Sequence, residues 1–145
     1  MSDLPAPFAE IVDEFSSVTA RERLQLLLEF SEELPELPDR WSGQRDAMEQ
    51  VHECQSPLFL AVEVEPDETV RLYFDAPREA PTTRGFAGIL HAGLDGLPAS
   101  EVVAVPDDAP MRLGLAEAVS PLRLRGMVAM LSRIKRQLRA STAVS

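Results

Sequence analysis

The sequence predicts an α+β domain: a small three-stranded antiparallel sheet packed against N-terminal and C-terminal helices. Three observations lead there. Apolar residues recur at helical spacing from Phe8 to Leu28 and again from Phe86 onward. Within Leu58–Val64 and Val70–Phe74 they recur at every second position, the repeat of a strand with one buried face. Pro66-Asp67-Glu68-Thr69 divides those two runs with turn chemistry, so they pair as an antiparallel hairpin. A sheet this small needs helices on its apolar face. The 145 residues suffice for one core and are too few for two, so 1–145 reads as a single domain.

Each element follows in order. Phe8, Ile11, Val12 and Phe15 form the stripe of a short first helix. Thr19-Ala20-Arg21-Glu22 has the capping-box pattern, and Leu24, Leu27 and Leu28 mark a second helix reaching about Glu33. Pro35 and Pro38 end it, and 34–45 reads as an irregular surface connector anchored by Trp41. Met48 to Glu53 reads as the third short strand beside the hairpin. After Pro77 and Pro81, Phe86, Ile89, Leu90 and Leu94 define a helix closing near Gly93 or Gly96, where glycine can take a left-handed cap. Pro98 to Val105 reads as a shorter helix bounded by Pro106. Ser120-Pro121 starts a long last helix whose apolar face is Leu124, Met127, Val128, Leu131, Ile134 and Leu138. The tail 141–145 is expected to be disordered.

Charge is distributed unevenly. Residues 1–68 carry 17 acids against 4 basic residues, whereas 69–145 carry 7 against 10. The net charge of −10 opposes binding to nucleic acid or a membrane surface. Arg123, Arg125, Arg133, Lys135, Arg136 and Arg139 make the last helix a local exception. With no aromatic residues interleaved for base stacking, these cations read as a solvated face that complements the helix dipole, or as a docking surface for an acidic partner protein. No apolar run is long enough to span a bilayer, and the acidic N-terminus lacks signal-peptide character. The expectation is a soluble cytoplasmic protein, in which a free thiol stays reduced.

Cys54 is the only cysteine. It cannot close a disulfide within the chain, and it cannot supply the several thiolates of a structural zinc site or an iron–sulfur scaffold, so burial or reactivity remains. Gln55 and Ser56 are polar and Pro57 lacks a backbone donor, which breaks the chain between strands and places the sulfur on a turn or loop.

The segment Val51 to Ser56 with its Cys-Gln-Ser core, Arg84-Gly85-Phe86-Ala87-Gly88-Ile89-Leu90, Leu113-Gly114-Leu115, and Ser120-Pro121-Leu122-Arg123-Leu124-Arg125-Gly126-Met127 running on to Met130 and Arg133-Ile134-Lys135 occur in one order across most of the chain. Together they resemble the SufE sulfur-acceptor proteins of iron–sulfur cluster assembly, with a SufE/NifU-like fold. The resemblance implies that Cys54 takes persulfide sulfur from a pyridoxal-phosphate (PLP) cysteine desulfurase (SufS-like), stimulates it, and passes the sulfur to an iron–sulfur cluster scaffold (SufB-like). It implies a sulfur-acceptor partner that is not an enzyme in the strict sense. Such a partner has no cofactor or metal of its own, works as monomer or weak dimer, and keeps its cysteine turn shielded when idle.

Several residues are candidates to support Cys54. In an extended segment His52 would point to the same side as Cys54, as a proton acceptor or as an ordinary polar residue. Arg123, matching the family's Ser-Pro-x-Arg motif, either faces the cysteine turn or links the last helix to the sheet. Arg84 matches a basic family position, with a solvated first-turn side chain as its plainer reading. Gln55 and Ser56 are expected to shape the turn through local hydrogen bonds. Glu53 stands where the family usually has glycine, which disfavours a left-handed backbone there and should raise the thiol pKa. Two rivals complete the set: an adaptor that docks a desulfurase with Cys54 merely packed, and a cysteine hydrolase with His91 as its distant base.

Overall fold

The computed structural model describes residues 3–144. Helix α1 (Ala6–Ser16) carries a proline in its first turn, where a missing N–H costs nothing, and buries Phe8, Ile11 and Phe15. Helix α2 (Ala20–Glu33) starts from the expected capping box: Glu22 N–H donates to Thr19 Oγ1 at 3.2 Å, and Thr19 N–H donates to Glu22 Oε1 at 3.0 Å. Its buried face runs through Leu27 and Phe30, while Leu24 of the expected stripe is exposed. The reason is close packing against helix α3 (Pro81–Leu94), whose Gly85 and Gly88 meet the second half of α2. A Cβ on Gly88 would run into the Phe30 carbonyl.

The sheet has the predicted three antiparallel strands, in the order β1 (Glu49–Gln50), β2 (Phe59–Val64), β3 (Val70–Asp75). Pairing of Leu60 with Phe74, Val62 with Leu72 and Val64 with Val70 sets one face toward the helices. The opposite face is covered by the connector after α2. Trp41 packs on Tyr73 with ring centroids 5.7 Å apart, Arg40 pairs with Glu63, and Arg45 lies over Phe59 while donating to Asp75 at 2.8 Å. The predicted anchoring role of Trp41 is thereby realised.

Strand β1 is shorter than the predicted Met48–Glu53. Val51 N–H still donates to Leu58 O at 2.9 Å, but Pro57 has no donor with which to extend the ladder, and His52–Cys54 coil into a 3-10 turn. Helix α3 ends at Leu94; Gly96, at φ +88°, takes the left-handed conformation, while Gly93 is buried inside the helix against Phe8. Helix α4 (Ala99–Val103) leads through two 3-10 segments to α5 (Pro121–Val144). Buried Lys135 ties α5 to the segment after α4 by donating to Val105 O at 2.6 Å and Asp107 Oδ1 at 2.7 Å. With no glycine or proline to stop it, α5 continues to Val144, so the described part of the tail expected to be disordered is helical; Ser145 lies outside the described residues.

One core joins these layers. Phe8, Phe15 and Phe86 are essentially inaccessible, each contributing on the order of 2–3 kcal/mol through burial. Among the described residues no helix is long and apolar enough to cross a membrane.

Candidate functional site

Cys54 ends the 3-10 turn His52–Cys54, in a loop whose two ends, Val51 and Leu58, are fully buried. His52, Glu53, Gln55 and Pro57 between them are exposed. The chain reverses after the sulfur because Gln55 takes φ 61°, ψ −3°, a left-handed conformation that costs a non-glycine residue roughly 1–2 kcal/mol. The left-handed position is therefore Gln55 and not Glu53, so glutamate before the cysteine imposes no such strain.

The sulfur points inward. Cys54 is 6% exposed, and its thiol donates to the Gly126 carbonyl of α5 at 3.7 Å. Gly126 permits this approach, since a Cβ there would lie 3.0 Å from Cys54 Sγ and 3.1 Å from its Cα. A mid-helix glycine costs about 1 kcal/mol relative to alanine, and here the docked turn offsets that cost. Burial pushes the Cys54 thiol up to about 12, with Glu53 acting in the same direction and Arg133 against it. Docked on α5, the group is a protonated thiol and a poor nucleophile at neutral pH.

Charged groups ring the turn. Arg133 of α5 places Nη2 2.9 Å from Glu53 Oε1 and Nη1 3.4 Å from Glu53 Oε2. Its Nε lies 3.3 Å from Glu49 Oε2 but is not aimed for hydrogen bonding, and it is a buried donor without a hydrogen-bond partner among the described residues. Arg136 pairs with Glu49, whose Oε1 also accepts from Gln137 Nε2 at 2.8 Å. Burial works against ionisation of Glu49, yet Arg136, Gln137 and Arg133 together hold its carboxyl below the usual range. Glu53 is also held low, first by a backbone hydrogen bond within its own residue and then by Arg133.

The predicted support residues fare differently. His52 does not share a side with Cys54: the 3-10 turn replaces the extended backbone that would have aligned them and leaves His52 exposed while Cys54 is buried. Arg123 is exposed, and its guanidinium makes no hydrogen bond or ion pair among the described residues; its backbone N–H donates to Ser120 Oγ at 3.3 Å, the expected cap. Arg84 is half-buried and not a freely solvated first-turn side chain: it donates to Ala76 O at 2.7 Å and Ser31 O at 3.3 Å, clamping the end of β3 to α2, and it makes no contact with Cys54 among the described residues. Gln55 shapes the turn through its backbone, and the side chains of Gln55 and Ser56 make no hydrogen bond among the described residues. His91 lies 3.6 Å from Asp95 and lines a cavity beside Leu37, Arg71 and Tyr73 that does not include Cys54.

Sequence reasoning counted Gly126 and Arg133 in the motif of the last helix but gave neither a place at the cysteine, and both build the site. A signal existed. Gly126, Ala129 and Arg133 follow one another at helical spacing, two small residues and then a cation on one face of an otherwise bulky helix.

A family model described as the SufE, Fe-S metabolism associated domain matches residues 9–138. The chain belongs to the SufE family. It is 59% identical over 138 residues to an uncharacterised SufE-like protein of Mycobacterium tuberculosis, with 95% of each chain covered. SufE-like protein 1 of Arabidopsis thaliana, described as chloroplastic/mitochondrial, is 27% identical over 94% of this chain and 36% of its own length. Among solved structures, a hypothetical protein from Thermus thermophilus superposes with a TM-score of 0.84 at 38% identity, covering 97% of this chain and 98% of that one. SufE membership places the protein in iron–sulfur metabolism.

Proposed function

We propose that this SufE-family protein accepts sulfane sulfur on Cys54 from a PLP-dependent cysteine desulfurase and passes it to an iron–sulfur cluster scaffold. The observation that carries the reading is a sole cysteine, on a turn between two pinned strand ends, in a chain of this family. The Cys54 thiolate attacks the outer sulfur of the desulfurase persulfide. A new S–S bond forms on Cys54, the partner's S–S bond breaks, and the partner's cysteine leaves as thiolate. The same exchange, run toward a scaffold thiol, returns Cys54 to its starting state. The PLP chemistry stays on the desulfurase, and this chain acts as acceptor and stimulator.

The docked thiol, protonated and covered by α5, cannot make that attack, so the turn must leave Gly126 when the desulfurase engages. Shielding protects the persulfide between transfers from oxidation and loss. Incubating the protein with a purified cysteine desulfurase and cysteine should add the mass of one sulfur, removable by reductant and mapping to Cys54. Cys54→Ser should take up none and lose stimulation of the desulfurase. Full stimulation by Cys54→Ser would leave only the docking adaptor.

A further inference from the structure

Two things hold the cysteine turn to α5: the close packing of buried Cys54 on Gly126, and charge. The thiol contact to Gly126 is long, and among the described residues the turn's other side-chain link to α5 is Glu53 with Arg133. The α5 side of that link is fixed in advance: Glu49 stands against Arg133 and is itself held by Arg136 and Gln137. The turn side is accessible, since the Glu53 side chain is 47% exposed and a docking protein can compete for it. Arg133 Nε, 3.3 Å from Glu49 Oε2, is buried without a hydrogen-bond partner among the described residues.

We propose that the Glu53–Arg133 ion pair is a latch that positions the cysteine turn on α5 and sets how often Cys54 becomes reachable. This regulation rests on the reading of Cys54 as a sulfur carrier. A partner that engages either charged group opens the turn without disturbing Val51 or Leu58. A partly exposed pair of this kind shifts such an equilibrium about fivefold.

The test is the rate of Cys54 alkylation by iodoacetamide, at one pH, in the parent, E53Q, R133Q and the double variant. A latch predicts that R133Q reacts about fivefold faster than the parent and that R133Q adds nothing in the E53Q background. If Arg133 served only to favour the thiolate, its removal would slow the reaction, so an R133Q rate at or below the parental one overturns the proposal. A second measurement needs no variant. Amide exchange of His52 to Ser56 in the parent should quicken as NaCl rises from about 50 mM to about 1 M, while that of Ile89 and Leu90 does not. Unchanged exchange at the turn overturns the proposal equally. No desulfurase is present in either assay, so failure here removes the latch and leaves sulfur carrying standing, whereas failure of persulfide loading leaves these rates intact.

Discussion

At the scale of single residues, the site depends on one thiol and the glycine beneath it. Cys54 titrates near 12 when docked, against 9.0 for an unperturbed thiol. Below pH 9.0 both folded and unfolded chains keep the proton, and the full contribution of the buried thiol to stability is present. Above it the unfolded chain loses the proton first, so stability falls through the window from 9.0 to about 12, by at most about 1.4 kcal/mol per pH unit. Urea midpoints of the parent should drop more between about pH 8 and about pH 10 than those of Cys54→Ser, and equal drops would contradict the docked, protonated state. Gly126→Ala places a methyl group 3.0 Å from the sulfur. The turn must shift outward, so this variant should lose about 1–3 kcal/mol by chemical denaturation and alkylate faster at Cys54.

At the scale of elements, α2 and α3 form the closest helix pair and α2 has the best-defined start. Thr19→Ala removes the acceptor for Glu22 N–H and the partner of its carboxylate. A loss of about 1 kcal/mol in denaturant-unfolding free energy is expected. Gly88→Ala should cost more, about 2–3 kcal/mol, because the obstruction is the Phe30 backbone, which cannot rotate away as a side chain would. Strand lengths were less legible than helix starts. A capping box is encoded by residues three apart, whereas the end of β1 depends on Leu58 accepting from Val51 across a loop, a pairing that no local pattern states.

At the scale of the whole molecule, the charge asymmetry of the sequence becomes internal pairing. Arg112 reaches Asp3, Arg78 reaches Glu36, and Arg133 and Arg136 reach Glu49, so much of the basic second half faces the acidic first half. Arg40 and Arg45 fasten the connector over the outer face of the sheet in the same way. Because the connector is tied to β2 and β3 and those strands share the core with every major helix, unfolding should be a single transition. Trp41 fluorescence and far-UV ellipticity should then lose their native values at the same urea concentration; an earlier Trp41 transition would show the outer layer to be independent.

The sequence by itself determined the α+β class, the helix starts, the hairpin and the candidacy of Cys54, because each is written in spacing, caps or the scarcity of cysteine within a short stretch of chain. Only the tertiary structure decided that the thiol lies against Gly126, that Arg133 rather than His52 or Arg123 attends it, and that Arg84 is a clamp. Those outcomes depend on which face of α5 meets the cysteine turn some 70 residues away in the chain, and long-range packing, unlike periodicity, leaves no local mark.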